Sequence, residues 1–432
     1  MVTITSLALA AVLATSGLAS ALPPKIGTTK LGNGHGAHLG KGRATLKQAR
    51  NPRYRFNGAR SVCRTYLKYG IPVPDYLIQA VANTDAELDA ADRAQRRDSG
   101  SAPAVPIDPE IDIAYVTPVS IGTPPQTLNL DIDTGSSDLW VFSSLTPPSQ
   151  MRGQEIYTPD ESSTAKELAG HTWSIMYGDG SNSRGIVYTD NFTVGGLTVG
   201  AQAVQCAQQV SSSFTSETQL DGLLGLGFSS LNTVSPEGQL TFFDNAKPNL
   251  EEPVFTADLK FHDTGSYDFG FVDPEKYTGE ITYVPVNPDP GYWLFASSGW
   301  AVGSANFTSA TINGIADTGT SLVYLPPTIL TSYYRQVPGA TNSAYYGGFV
   351  FPCSAELPPF TFGVGEARIT IPPSYISYAR VSPTSSTCFG GLQSSSSLGI
   401  NIWGDVALKA AFVVFDGGDS PRIGWANKKL VT

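Results

Sequence analysis

The chain has 432 residues, of which 41% are hydrophobic, and it contains 44 glycines and 31 prolines. This composition allows a large core divided over two or more lobes and excludes an intrinsically disordered chain. The net charge of -10 is unevenly distributed: residues 22–98, which we call the basic leader, hold 14 Lys and Arg against 6 Asp and Glu, whereas the residues from 99 onward hold 13 against 31. A basic leader therefore precedes an acidic body, and such a body gives no reason to expect nucleic-acid binding.

The first 21 residues have the pattern of a signal peptide. An apolar stretch from Leu7 to Leu13 is followed by Ala19-Ser20-Ala21, which predicts cleavage after Ala21. No later apolar run reaches the roughly 20 residues that a membrane-spanning helix needs. We therefore expect a secreted protein with no membrane partner.

The basic leader ends in a segment with the composition of a processing site. Arg96-Arg97 is followed by the small and proline-containing residues 99–106. Such a segment is typical of an exposed linker that proteases can reach. We expect the mature chain to begin between about Asp98 and Pro106.

The four cysteines fit an oxidising compartment. We expect a disulfide between Cys353 and Cys388 and a buried free thiol at Cys206, and we leave the state of Cys63 in the leader open. The four histidines are scattered, so no Cys/His spacing indicates zinc. Two triplets have the form of glycosylation acceptors, at Asn191 and Asn306.

The body has the pattern of an all-β protein. Short segments such as 127–132, TLNLDI, alternate apolar and polar residues between clusters of Gly, Pro, Asn and Ser. Long stretches with helical periodicity are scarce. This texture predicts many short strands.

The tetrad Asp-Thr-Gly-Ser/Thr occurs three times, beginning at Asp133, Asp263 and Asp317. The first and third copies stand 184 residues apart, and each is followed by an apolar motif that ends in glycine, at Gly225 after 92 residues and at Gly404 after 87. No such motif follows Asp263 at that distance, where residues 347–353 read GGFVFPC. The internal repeat therefore pairs Asp133 with Asp317.

The middle tetrad lies between two segments with alternating apolar and polar residues, at 255–262 and 267–271. This pattern predicts two strands with one face in solvent, joined by a hairpin turn that contains Asp263. The other two tetrads are followed by the apolar runs 139–142 and 322–325, which are typical of strands buried on both faces. We therefore expect only the first and third tetrads to lie in interior loops.

Two buried carboxylates within hydrogen-bond reach can perform acid and base chemistry together. They cannot both be ionised cheaply, so they share a proton and titrate as a unit. One then activates a water molecule as a base while the other protonates a carbonyl oxygen, which hydrolyses an amide without a covalent intermediate. Threonine and serine hydroxyls in the tetrads can orient the carboxylates, and the glycines allow close approach of the backbone.

The body contains further motifs in a fixed order. From about Tyr115 to the C-terminus the chain reads LDIDTGSSDLWVF, MYGDGS, DGLLGLGF, IADTGTSLVYLP, IWGDVALKAAFVVFD and RIGWA. In this order they resemble the pepsin-family aspartic endopeptidases, particularly the secreted fungal acid proteases. The resemblance implies an all-β, bilobal fold, with an N-terminal lobe at 105–284, a C-terminal lobe at 285–432 and the active-site cleft between them. It also implies hydrolysis of polypeptides at acid pH, a preference for large apolar residues around the scissile bond, and no metal or cofactor.

The resemblance also assigns roles to individual residues. Asp133 and Asp317 correspond to the catalytic pair, and the residues that support them are Thr134, Gly135 and Ser136 in one loop and Thr318, Gly319 and Thr320 in the other. MYGDGS resembles the flap, a hairpin that closes over the substrate, with Tyr177, Gly178 and Asp179 as substrate-binding residues and Trp140 as the hydrogen-bond partner of Tyr177. Gly225 and Gly404 resemble structural glycines. The alternatives are a strand aromatic at Tyr177, a core residue at Trp140 and an exposed turn residue at Asp179.

The leader fits the same family. YLKYG, residues 66–70, resembles the propeptide stretch whose lysine lies against the catalytic carboxylates, which makes Lys68 the corresponding residue. The charge division supports an intramolecular inhibitor, because a basic leader is attracted to an acidic body while its carboxylates are ionised. The alternative is a solvated basic tail.

Two other classes of protein compete with this interpretation. A pepsin-like binding or inhibitor protein that has lost catalysis would usually have a damaged tetrad or flap motif, and all of these are intact here. A glycoside hydrolase also uses paired carboxylates, but it has no reason to contain twin tetrads with these motifs in this order. We therefore predict a monomeric, secreted aspartic endopeptidase made as a zymogen.

Overall fold

The protein is described by a computed structural model, which covers residues 57–69, 71–84, 115–176 and 181–431, together with the backbone of 44–47 and 49–50. The signal peptide predicted at 1–21 and the processing site predicted at Arg96-Arg97 lie outside the described residues. Strands dominate the part that is described, as the sequence predicts for an all-β body. No helix in these ranges is long and apolar enough to cross a membrane.

Within the described residues the strands form four sheets, and most of the strands are short. In chain order they are β1 Ala44–Lys47, β2 Ala49–Arg50, β3 Tyr115–Ile121, β4 Gln126–Asp133, β5 Leu139–Val141, β6 Lys166–Met176, β7 Asn182–Val194, β8 Leu197–Val210, β9 Gly222–Gly225, β10 Val254–Asp258, β11 Ser266–Phe269, β12 Thr278–Pro285, β13 Leu294–Val302, β14 Thr308–Ala316, β15 Val323–Leu325, β16 Thr341–Ser343, β17 Gly348–Pro352, β18 Phe360–Val364, β19 Ala367–Ile371, β20 Ser377–Arg380, β21 Thr387–Gly390, β22 Leu392–Ser394, β23 Asn401–Trp403, β24 Phe412–Asp416 and β25 Arg422–Asn427.

The helices are also short. They are α1 Gly58–Lys68, α2 at 75–84, α3 Ser212–Ser216, α4 Phe242–Ala246, α5 Pro327–Tyr334, α6 Pro373–Ile376 and α7 Asp405–Leu408. Single 3-10 turns occur at Pro148–Gln150, Pro159–Glu161, Ser229–Leu231, Lys247–Asn249 and Pro274–Lys276.

Two copies of one strand arrangement carry the first and third tetrads. In the eight-stranded sheet, β4 runs parallel to β9 with Asp133 opposite Gly225, and β5 lies antiparallel on the other side of β9. In the seven-stranded sheet, β14 runs parallel to β23 with Ala316 opposite Trp403, and β15 lies antiparallel on the other side of β23. The internal repeat predicted from the sequence is therefore confirmed.

Glycine is required where these strands pass beneath the tetrad loops. A Cβ at Gly225 would lie 2.5 Å from the backbone nitrogen of Asp138, and a Cβ at Gly404 would overlap the carbonyl oxygen of Thr320. Only glycine permits this approach without displacement of the backbone. Both tetrad loops therefore rest directly on a partner strand.

The middle tetrad lies in a turn, as predicted, but its flanking strands are not half-solvated. Every residue of β10 and β11 is buried, so the prediction of a solvent-facing polar side is wrong. Buried ion pairs with lysines outside these two strands explain the difference: Lys428 donates to Asp258 at 2.8 Å, and Lys276 donates to Asp268 at 2.5 Å. Charged side chains can be buried when they are paired in this way.

The six-stranded sheet that contains these strands has the order β1-β11-β10-β24-β25-β12. It combines strands on both sides of the lobe boundary that we expect near residue 285. In the four-stranded sheet β16-β17-β21-β20, the expected disulfide joins Cys353, which follows β17, to Cys388 on β21. Cys206 is a buried free thiol, as predicted, and Cys63 is also buried and forms no disulfide.

The leader helix α1 forms because its apolar residues recur at helical spacing. Ala59, Val62, Cys63 and Tyr66 share one buried face. The side chain of Asn57 caps the first turn by accepting a hydrogen bond from the amide of Arg60 at 2.9 Å. Helix α1 ends at Lys68, shortly before Pro72, which is unfavourable within a helix.

The two leader helices pack tightly on the body. A Cβ added at Gly347 would lie 2.9 Å from side-chain atoms of both Ala59 and Leu77, and a Cβ at Gly58 would lie 2.5 Å from the ring of Phe389. Contacts this short leave no room for a larger residue at either glycine. Helices α1 and α2 are therefore packed into the core of the described structure, and this part of the leader is not a solvated tail.

Candidate active site

The first and third tetrads meet, and their carboxylates are buried. Asp133 is the last residue of β4 and Asp317 directly follows β14, with 1% and 0% of their surfaces exposed. Each tetrad loop thus begins at the C-terminal end of a matching strand, β4 or β14. Hydrogen bonds between the two loops show that they lie close together.

Reciprocal threonine hydrogen bonds tie one loop to the other. The amide of Thr134 donates to Oγ1 of Thr318 at 3.1 Å, and the amide of Thr318 donates to Oγ1 of Thr134 at 3.0 Å. Each hydroxyl in turn donates across the interface, Thr134 to the carbonyl of Ala316 and Thr318 to the carbonyl of Ile132. These four bonds are buried and fix the relative position of the loops.

Each aspartate is oriented by donors from its own loop. Asp133 accepts from the amide of Gly135 at 2.8 Å and from the hydroxyl of Ser136 at 2.5 Å. Asp317 accepts from the amide of Gly319 at 3.0 Å and from the hydroxyl of Thr320 at 2.5 Å. The two carboxylates therefore have matching supports.

The glycines of the tetrads allow the loops to approach. A Cβ at Gly135 would lie 2.6 Å from Oδ1 of Asp317, and a Cβ at Gly319 would overlap the carboxylate of Asp133. Any side chain at either position would push the carboxylates apart. Glycine at these positions is therefore a geometric requirement for pairing the two acids.

The leader places a cation between the two acids. The ammonium of Lys68 lies 2.8 Å from Oδ1 of Asp133 and 2.5 Å from Oδ2 of Asp317. The hydroxyl of Tyr69 also donates to Oδ2 of Asp317 at 2.7 Å. Tyr69 belongs to the YLKYG motif, but the sequence pattern alone assigns it no role.

The environment moves the pKa values of these groups in different directions. Burial raises the pKa of Asp133, and the attraction of Lys68 opposes this only in part. Burial acts in the same sense on Asp317, but Lys68 and the hydroxyls of Thr320 and Tyr69 hold its pKa below the ordinary value. Burial alone would lower the pKa of Lys68, but the two aspartates raise it above the ordinary value. The ammonium is therefore charged over the whole physiological pH range.

The flap motif is only partly described. Strands β6 and β7 pair antiparallel up to Met176 opposite Asn182, whereas Tyr177, Gly178 and Asp179 lie outside the described residues. Trp140 is fully buried, and its ring stacks 6.0 Å from Trp173 and meets Phe214 edge-on at 4.8 Å. The role of Trp140 as partner of Tyr177 stays a prediction.

The remaining predicted residues lie apart from the two acids. Asp263 is exposed in its turn and accepts a hydrogen bond from the amide of Thr264 at 2.7 Å. Asn306 is exposed in the turn between β13 and β14, whereas Asn191 lies within β7 and donates to the hydroxyl of Thr123 at 3.3 Å. Asn306 is thus the more accessible of the two acceptor sites.

Two buried carboxylates supported in this way have the arrangement that hydrolysis by a water molecule between an acid and a base requires. The comparisons with known proteins agree. The family model for eukaryotic aspartyl proteases matches residues 114–428, and the chain belongs to this family.

Several curated relatives are similar over nearly the whole chain. The chain is 64% identical to podosporapepsin of Podospora anserina over all of both sequences, and 60% identical to endothiapepsin of Cryphonectria parasitica over 90% of this chain and 91% of that one. It is 49% identical to penicillopepsin-3 of Penicillium janthinellum over 86% and 88%. The protein is therefore an aspartic-type endopeptidase with the bilobal fold of the pepsin family, which hydrolyses peptide bonds at acid pH.

Proposed function

We propose that Asp133 and Asp317 are the catalytic dyad of this endopeptidase and that the chain is made as a secreted, monomeric zymogen. The observation that carries this proposal is the reciprocal hydrogen bonding of the two tetrad loops around two buried carboxylates. A dyad with one proton holds a water molecule between its carboxyl groups. The ionised acid takes a proton from the water as it attacks the peptide carbonyl, and the protonated acid gives its proton to the carbonyl oxygen.

The leader inhibits this dyad in our proposal. Lys68 occupies the position between the two acids where the water and the scissile bond would lie, and Tyr69 occupies a further lone pair of Asp317. Because the pKa of Asp317 is lowered in this state, the stabilisation is present at neutral pH and is lost as the pH falls through that lowered value. Asp133, whose pKa is raised, takes up a proton earlier in the same descent. Acid thus releases the leader.

Substitution of the three tetrad aspartates tests the dyad. Asp133→Asn and Asp317→Asn should each abolish cleavage of a denatured protein at about pH 4, because an amide can neither accept nor release the required proton. Asp263→Asn is the matched control, since it makes the same change in an exposed turn, and it should retain nearly full activity. Loss of activity in the Asp263 variant, or its retention in either of the others, would refute the assignment.

We also propose that Asp179 lets the enzyme cleave after lysine as well as after large apolar residues. The flap is expected to lie over the residue that precedes the scissile bond, where a carboxylate can pair with a substrate ammonium. The test compares peptides with Lys or Leu at that position on the wild type and on Asp179→Asn. A selective loss on the Lys peptide supports the pairing. Equal losses on both peptides, or no cleavage after Lys by the wild type, would leave Asp179 as a turn residue.

A further inference from the structure

The cavity beside the two tetrad loops contains a second leader cation. The leader residues Arg64 and Lys68 line it together with Asp133, Thr318 and Glu217 of the body, and its volume is about 80 Å³. Arg64 forms an ion pair with the side chain of Glu217. The leader therefore fills one continuous cavity with two positive charges, of which only Lys68 lies at the dyad.

The spacing of these two cations matches that of a bound peptide. Arg64 and Lys68 are four residues apart on α1, so they lie on one helix face and are separated by about 6 Å along its axis. In an extended strand, two side chains on the same face are separated by two residues, or about 6.6 Å. In a bound substrate, the residue whose side chain takes the place of Arg64 would therefore lie two positions along the peptide from the residue that takes the place of Lys68.

The backbone that carries Glu217 is held in place at the cavity wall. This residue directly follows α3, and Gln154, which is 8% exposed, donates its side-chain amide to the carbonyls of Phe214 at 3.1 Å, Thr215 at 3.2 Å and Glu217 at 3.4 Å. The carbonyl of Glu217 also accepts from the amide of Leu220 at 2.9 Å. The Glu217 side chain is 12% exposed in the presence of Arg64. A carboxylate carried on a backbone that is fixed in this way favours a cationic side chain.

We infer that Glu217 forms a subsite for an arginine or lysine side chain of the substrate, at the third residue before the scissile bond. This inference rests on the proposed function, because it treats Lys68 as occupying the dyad. The direction follows from Ser181, the last residue of the flap motif MYGDGS, which lines the same cavity. The flap is expected over the residue before the scissile bond, so the cavity lies on that side of it.

The test uses two peptides that differ only at that third residue, Arg in one and Gln in the other. The full chain, brought to acid pH to release the leader, should show a kcat/KM for the Arg peptide about tenfold above that for the Gln peptide at about pH 5. In Glu217→Gln this ratio should fall to about one. Glu280→Gln, which removes the same charge from an exposed position on β12, should keep the wild-type ratio. The charge reversal Glu217→Lys should favour a Glu peptide over the Gln peptide, and thermal unfolding checks that each variant folds.

The outcomes separate the subsite from the dyad. A wild type that cleaves neither peptide refutes the proposed function and the subsite with it. A wild type that cleaves both peptides equally, or a ratio that survives in Glu217→Gln, refutes the subsite alone. The inference is also overturned if Glu217 instead causes a preference for Arg at a position after the scissile bond, because the substrate would then lie in the opposite direction.

Discussion

Asp221 should make the protein less stable as the pH rises from acid to neutral. This carboxylate is 2% exposed and accepts from the amides of Asn129 at 2.7 Å and Glu155 at 2.8 Å. Burial raises its pKa from 3.8 to about 6, against the opposing effect of those two amides. The folded protein therefore binds this proton more tightly than the unfolded chain does. The stabilisation is complete below about pH 4 and is lost through about pH 6, and it amounts to about 3 kcal/mol.

The variant Asp221→Asn removes this dependence. In the variant, an NH2 group takes the place of one carboxylate oxygen, so one of the two backbone amides loses its hydrogen-bond acceptor. This loss lowers the free energy of unfolding by a similar amount at every pH. The free energy by which the variant is less stable than its parent should therefore be largest at about pH 4 and should shrink by about 3 kcal/mol by about pH 7. Urea unfolding at several pH values measures this stability difference, and all variants carry Asp133→Asn to prevent autolysis. Asp263→Asn, at an exposed position, is the control. A difference that does not change with pH would refute the reasoning.

Two further predictions concern the leader and the paired loops. Lys68→Ala in a peptide of residues 22–98 should raise the inhibition constant of that peptide against the mature enzyme at near-neutral pH, because the ammonium between the two acids is lost. Arg60→Ala, which removes one charge from the same helix, is the control. An unchanged inhibition constant for Lys68→Ala would assign the inhibitory contact to another residue. Thr318→Val should lower the free energy of unfolding by about 2–4 kcal/mol and reduce kcat, because it leaves the amide of Thr134 and the carbonyl of Ile132 buried and unpaired. Thr308→Val at an exposed position controls for the substitution, and an unaltered thermal midpoint and kcat in Thr318→Val would count against the role of these bonds.

The features that the sequence predicts best are those encoded locally or by repetition. Period-two alternation indicates strands, and the spacing of Gly225 and Gly404 behind their tetrads identifies which two loops match. Turn-forming residues around Asp263 correctly exclude that tetrad from the interior. These signals depend only on neighbouring residues or on internal similarity, so they can be read without the fold.

Contacts between distant side chains could not be predicted in the same way. The alternation of apolar and polar residues around Asp258 fits both a strand face in solvent and a strand face buried by ion pairs. Only the position of Lys428 in the folded protein distinguishes these two cases. The pairing of Arg64 with Glu217 likewise joins segments more than 150 residues apart that share no motif. The sequence predicts that the hydroxyls of Thr134 and Thr318 hold their own loops. It does not predict that each hydroxyl accepts a hydrogen bond from the other loop, because this requires the strands to be assembled.

The pairing of β10 with β24 and of β12 with β25 also constrains how the chain is made. Phe255 pairs opposite Phe415, and Val284 opposite Ile423. During translation, β10 and β12 wait for partners that are synthesised more than 120 residues later, and such long-range pairing is slow. A chain interrupted before residue 412 would carry unpaired strand edges, which readily recruit other chains into aggregates. The synthesis of β24 and β25 therefore decides whether the nascent protein completes its sheet or associates with its neighbours.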